Sequence, residues 1–167
     1  MMIPTSDEVR IEIATQCNYN CIICARDKFT RVKEIMPTER FRYYLEKIMS
    51  VKGKYGTLTF SGFGEPLLDR NFLEKAEIAQ KQGLNLLLLT NASLLTVPVF
   101  RRINELGFVS IRISFYGITP QSYGRMHNLN GGVDFERLKA TLTEICRMDR
   151  KTRIIFTYNV VKGVNDA

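Results

Sequence analysis

The sequence predicts an α/β fold, an open or partial TIM-like barrel of parallel strands. Two observations carry that expectation. Short β-rich apolar runs alternate with longer stretches of helical periodicity, and turn or capping residues fall between them. Five such runs are too few to close a barrel of about eight strands. The arc therefore stays open, and its chemistry belongs at the carboxyl ends of the strands.

The strands are expected at VRIEIA (Val9 to Ala14), TLTFS (Thr57 to Ser61), NLLLLT (Asn85 to Thr90), VSIRISF (Val109 to Phe115) and RIIFTYNV (Arg153 to Val160). A charged, irregular stretch from Ala25 to Met36 precedes the first helix. The second helix begins near Asp69 and stops at Gly83, since glycine suits the left-handed residue just past a helix end. The third follows Thr96 and stops at Gly107 by the same reasoning. Thr119 and Pro120 open a short helix, the proline fitting its first turn. Asp134 caps the last, in which Leu138, Leu142 and Ile145 recur at helical spacing toward the core.

A chain of 167 residues suits one domain with a sizeable core, spanning residues 1–167. No apolar run approaches the roughly 20 residues of a membrane span, and LLLL at Leu86 to Leu89 has the length of a buried strand. The N-terminal MMIPTSDEVR has neither the basic nor the long apolar region of a secretion signal, so a cytoplasmic location is expected. The 24 Lys and Arg against 17 Asp and Glu give a net charge of +7, but the basic residues are scattered. That pattern suits a basic enzyme surface better than a nucleic-acid site. Four cysteines without an export signal point to metal or redox chemistry rather than disulfides.

Three of those cysteines crowd one loop, CNYNCIIC, directly after the first strand: Cys17, Cys21 and Cys24. A structural zinc takes four ligands in a closed tetrahedron. The other candidates stand apart, His127 reading as an exposed helix-end residue and Cys146 as a packing residue beside the last helix's apolar stripe. Three thiolates suit a 4Fe–4S cluster with one iron left open, and an open position implies chemistry rather than scaffolding. A non-catalytic metal-binding module, completed by a ligand from elsewhere, remains the competing reading. Further along, SGFGEPLLD brings glycines that let backbone approach a ligand and Glu65, a carboxylate able to meet an ammonium.

Cys-x3-Cys-x2-Cys after the first strand resembles the radical S-adenosylmethionine (radical SAM) enzymes. The resemblance implies that the open iron is chelated by the amino and carboxylate groups of SAM. It further implies that the reduced cluster cleaves the sulfonium to a 5′-deoxyadenosyl radical, which abstracts hydrogen from a substrate. Gly64-Glu65-Pro66 is similar to the family's Gly-Gly-Glu-Pro, which contacts the SAM amino group, with Phe63 replacing the first glycine and Gly62 one position earlier. TNASLL resembles Thr-Asn-Gly, with Ala92 in place of the glycine and Asn91 as a SAM or substrate contact. Ser114 in ISFYG matches the serine that bonds the SAM ribose. YNVVKGVND resembles a stretch of the molybdenum-cofactor and peptide-modifying branches, implying Asn159 toward the ribose or carboxylate and Val161 on the adenine. Ile23 stands where most members place an aromatic beside the adenine, keeping apolar contact without stacking.

The family core has about six βα units against five here, so the resemblance implies an incomplete C-terminus, completed by a further segment or a partner chain. The stretch from Ala25 to Met36 resembles the linker of SPASM or twitch members, which points to a peptide, sugar or small-metabolite substrate. Arg26, Lys28 and Arg31 beside the cluster either hold an acidic substrate or form a solvated loop. An RNA- or nucleotide-modifying enzyme of the same family is the alternative. A flavodoxin or ferredoxin is the expected reductant.

Overall fold

The computed structural model describes residues 7–51, 55–129 and 134–166. Met1 to Ser6, most of the stretch read for a leader, lie outside the described residues. Five strands form one parallel sheet in sequential order: β1 (Glu8–Ile11), β2 (Thr57–Phe60), β3 (Asn85–Thr90), β4 (Ser110–Ser114) and β5 (Arg153–Thr157). Between them run α1 (Thr38–Met49), α2 (Phe72–Lys81), α3 (Val97–Glu105), α4 (Pro120–His127) and α5 (Phe135–Arg147). The strand order never reverses, so the chain winds in one direction as it does in a barrel.

The register divides the sheet into two unlike faces. Val9 and Ile11, Leu58 and Phe60, Leu86 and Leu88, and Ile111 and Ile113 share one side. Apart from Val9, which is half-buried against it, these residues join Phe41, Phe72, Ala76, Phe100, Ile103 and Leu142 of the helices in one buried core. Phe60, wholly buried, has Phe41, Phe72 and Phe108 at ring separations of 6.0, 5.2 and 6.2 Å. The opposite face carries Arg10, Thr59, Leu87 and Ser110, with Leu89 and Arg112 one step on. There Thr59 donates to the Glu8 carboxylate at 2.7 Å. This more polar side suits the inside of an open arc better than a second apolar layer would.

Caps and stops fall close to the expected positions. Thr96, Thr119 and Asp134 each accept the backbone N–H three residues on, and Gly83 and Gly107 adopt φ of +79° and +74° past α2 and α3. Three boundaries differ. The second helix starts at Phe72 because Asp69 caps the turn ahead of it, accepting Asn71 N–H at 2.9 Å, and is itself buried against the Lys75 ammonium. β1 stops at Ile11, and the chain beyond it pairs with the segment ahead of α1 through an antiparallel bridge between Ala14 and Ile35. β5 stops at Thr157, after which Asn165 organises a turn. The stretch from Ala25 to Met36 is thus less irregular than expected, with a short 3-10 helix at Arg26–Lys28 and a strap pinned along residues 13 to 15.

Candidate active site

The strands deliver their loops to one mouth. A cavity of about 360 Å³ opens there, walled by Cys17, Cys21 and Cys24 on one side. Ile23, Gly64, Glu65, Asn91, Ser114 and Asn159, each expected at a cofactor site, line it as well, whereas Val161 does not. Val161 instead gives its backbone N–H to Asn165 at 2.6 Å. Asn165 also donates to the carbonyls of Tyr116 and Asn159 at 2.7 and 2.8 Å. This buried asparagine fixes the loop that brings Asn159 to the cavity, and only its place in YNVVKGVND hinted at it.

The cysteine loop is held by the far end of α4. Asn20 and Ile22 donate their N–H groups to the carbonyls of His127 and Met126 at 3.3 and 3.0 Å, which satisfies carbonyls that a helix end otherwise leaves open. Cys21 lies between these two anchors, and its sulfur is 3.0 Å from His127 Nδ1. The Cys17 sulfur accepts from Tyr19 N–H at 3.4 Å and from the Asn91 amide at 3.7 Å, and the Cys24 sulfur from Arg26 N–H at 3.4 Å. Burial pushes the Cys17 thiol up, and burial together with the other two thiols pushes Cys21 up to about 12. These thiols gather where ionisation is unfavourable until a cation compensates them.

Among the described residues no three His, Cys, Asp or Glu side chains converge as ligands of a single ion. Three thiols spread along a cavity wall fit a polynuclear cluster, in which each sulfur takes a different iron.

Backbone fits against backbone beside the cysteine loop. A Cβ on Gly64 would fall on the carbonyl oxygens of Ala14 and Gln16, and Gln16 already accepts Glu65 N–H at 2.7 Å. The space beside Gly62 is filled by the Glu12 carboxylate, which accepts Phe63 N–H at 2.6 Å and Gly64 N–H at 3.2 Å. Glu12 also takes Arg31 through both oxygens, at 2.5 and 2.9 Å, and the guanidinium sits near the Phe29 and Phe63 rings. Arg26, largely buried, donates to Cys17 O at 2.8 Å and to Asn20 at 3.2 Å. Both arginines are committed within the fold, which counts against their holding an acidic substrate.

Glu65 is fully enclosed. It accepts Leu67 N–H at 3.0 Å, the Thr90 hydroxyl at 2.6 Å and Asn91 N–H at 2.7 Å, with no cationic side chain among these partners. Burial pushes its carboxyl above the usual carboxylate range, opposed by those three donors. A buried carboxylate without a cation, beside an open cavity, is matched to a ligand bearing an ammonium. Next to it Ala92 adopts φ of +59°, a left-handed conformation that explains why a glycine is the residue expected there.

Two readings of the sequence are overturned. His127 is wholly buried rather than exposed, packed by Tyr19, Tyr116 and Tyr123 at ring separations of 5.0, 5.2 and 4.2 Å. Burial alone pushes its imidazole down to about 4, leaving the ring neutral. The signal was present in α4, where Ser122, Tyr123, Met126 and His127 fall on one helical face and are all buried. Cys146, expected to pack, is exposed, because α5 turns Leu138, Leu142 and Ile145 inward instead. Glu12 was missed as well, although alternation with Ile11 and Ile13 marks it as turned away from them.

The model of the radical SAM superfamily matches residues 11–167, and the chain belongs to that superfamily, whose enzymes bind a 4Fe–4S cluster and SAM. An uncharacterized protein of Methanocaldococcus jannaschii is 32% identical over 120 residues, covering 68% of this chain and 35% of that one. A protein of Methanosarcina barkeri described as AdoMet-dependent heme synthase is 27% identical over 83% of this chain and 38% of its own. A probable GTP 3′,8-cyclase of Thermococcus kodakarensis is 24% identical over 95% of this chain and 49% of its own. Among solved structures, BtrN in complex with AdoMet and 2-DOIA superposes with a TM-score of 0.68 at 18% identity, covering 93% of this chain and 58% of that one. The chain thus spans between 35% and 49% of the length of these curated relatives.

Proposed function

We propose that this chain is the core of a radical SAM enzyme in which Cys17, Cys21 and Cys24 ligate the 4Fe–4S cluster and SAM completes the remaining iron. One observation carries the reading: three thiols, a carboxylate lacking a cation and a glycine that admits no Cβ share one cavity at the strand ends. When bound and reduced, the cofactor pair supplies the electron that splits the sulfonium and the radical that takes a hydrogen atom from substrate.

The chain's own residues then bind, orient and enclose. Gly64 lets its turn close on the Ala14 and Gln16 carbonyls, and Glu65 beside it meets the SAM ammonium with the lone-pair site left after its three hydrogen bonds. Ser114 and Asn159 face the ribose, and Asn91 positions the cluster loop through Cys17 and Asn18. Ile23 covers the adenine by apolar contact. Val161 acts through its backbone, holding the loop under Asn159. Residues 1–167 form one core domain of that enzyme.

The substrate we propose is a peptide, a sugar or a small metabolite, with a flavodoxin or ferredoxin supplying electrons in the cytoplasm. An RNA or nucleotide substrate is a second reading. The net charge of +7 is compatible with it, and it is favoured by a probable dual-specificity RNA methyltransferase of Thermotoga maritima that is 25% identical over 96% of this chain.

Anaerobic reconstitution tests the cofactor assignment. Iron and sulfide in equal amounts, about four of each per chain, and an EPR signal that changes on adding SAM are expected. One zinc per chain, or a cluster signal indifferent to SAM, contradicts it.

A further inference from the structure

The His127 ring lies at the cysteine wall and has no part in the assignment above. It is wholly buried, it is the only histidine in the sequence, and its Nδ1 stands 3.0 Å from the Cys21 sulfur. Its other nitrogen, Nε2, is buried with no hydrogen-bond partner among the described residues.

A ligating thiolate carries no proton, so the proton in the contact between Cys21 and His127 must sit on the ring. The opposite tautomer would bury an unpaired Nε2–H and aim the Nδ1 lone pair at an anionic sulfur. Both features are unfavourable. The Nδ1–H tautomer removes both, leaving only a bare acceptor at Nε2.

The ring has little freedom to turn away. Tyr116 stacks on it with an interplanar angle of 13°, while Tyr19 and Tyr123 close the other sides. Its own backbone carbonyl and that of Met126 grip the residues flanking Cys21, so ring and sulfur move as one unit.

We infer that His127 donates Nδ1–H to the Cys21 thiolate of the assembled cluster and thereby raises the cluster's reduction potential. The inference rests on the cluster assignment above and extends it. His127 is a positioning residue that acts through Cys21. An N–H donor to a ligand sulfur stabilises the more negative, reduced state of the couple [4Fe–4S]²⁺ + e⁻ ⇌ [4Fe–4S]⁺ over the oxidised one. A low-potential one-electron reductant such as dithionite supplies the electron in the test.

The experiment is an EPR-monitored redox titration of the reconstituted full chain without SAM, as wild type, His127→Phe and His127→Asn, with iron and sulfide measured on each. His127→Phe, which fills the space without a donor, is expected to shift the reduced-to-oxidised ratio about tenfold toward oxidised, a potential about 59 mV more negative. His127→Asn, whose amide N–H reaches the Nδ1 position, is expected to restore it. With the single histidine labelled with ¹⁵N, pulsed EPR of the reduced wild-type cluster is expected to show a weak ¹⁵N coupling.

No ¹⁵N coupling in the wild type overturns the inference however the variants behave. An unshifted potential in a cluster-bearing His127→Phe also overturns it, as does a shift that His127→Asn reproduces. A wild-type chain that takes up no iron and sulfide refutes the cluster assignment itself, and iron analysis separates that failure from the others.

Discussion

The Glu65 carboxylate accepts the backbone N–H of Asn91 at 2.7 Å, tying the loop after β2 to the end of β3 in the wall of the cavity. Thr90 and Leu67 complete its donors, so both oxygens are engaged. Glu65→Gln places an amide N–H against one of these donors whichever way it is turned. A loss of about 1–3 kcal/mol is expected in a denaturant melt, together with weaker SAM binding in the reconstituted protein. Because burial raises this carboxyl's folded-state pKa above its unfolded value, the native chain holds the proton more tightly. Its contribution to stability therefore declines as pH rises from the unfolded pKa through the folded one. Glu65→Gln is expected to remove that slope, and an unchanged pH profile would contradict the assignment.

Gly64 and Gly124 make an opposed pair. A methyl on Gly64 meets two backbone carbonyls that cannot yield, whereas one on Gly124, within α4, meets nothing within 4 Å. Gly64→Ala is expected to cost about 3 kcal/mol. Gly124→Ala is expected to gain about 0.5–1 kcal/mol from the lower entropy of the unfolded chain. Thermal melts of the two variants check the signs.

Ala92 is held at positive φ with its side chain buried. Releasing an L-residue from that conformation is worth about 1–2 kcal/mol, which offsets the usual penalty of introducing glycine. Ala92→Gly is therefore expected to be neutral or stabilising, while Ala79→Gly, inside α2 and equally buried, is expected to destabilise by about 1 kcal/mol or more.

Most of the arc was legible because the signals were local. NLLLLT is a strand from Asn85 to Thr90 as expected, and Thr96, Thr119, Asp134, Gly83 and Gly107 cap or stop helices where their chemistry implies. At the site, the spacing of Cys17, Cys21 and Cys24 and the glycines before Glu65 pointed to the cavity they line. What stayed hidden depends on contacts distant in sequence. Glu12 meets the loop at Phe63 and Gly64, and His127 meets Cys21 across the sheet. Neither pairing leaves a periodic trace. The sulfur of Cys146 was misjudged for a related reason, since proximity to an apolar stripe does not say which side of it a residue occupies.

The cysteines themselves give a sharp expectation. Cys17→Ala, Cys21→Ala or Cys24→Ala each removes a wall thiol and is expected to abolish iron and sulfide uptake, whereas exposed Cys146→Ala is expected to leave both unchanged. Loss of the cluster on changing Cys146 would show that the ligand set is wrong.

The most direct test of the central assignment is the release of 5′-deoxyadenosine from SAM by the anaerobically reconstituted, dithionite-reduced chain, followed by chromatography. Release that requires the reductant and disappears in Cys21→Ala is the expected result. A cluster-loaded, reduced chain that binds SAM yet releases none would contradict the assignment of this cavity as a radical-generating site.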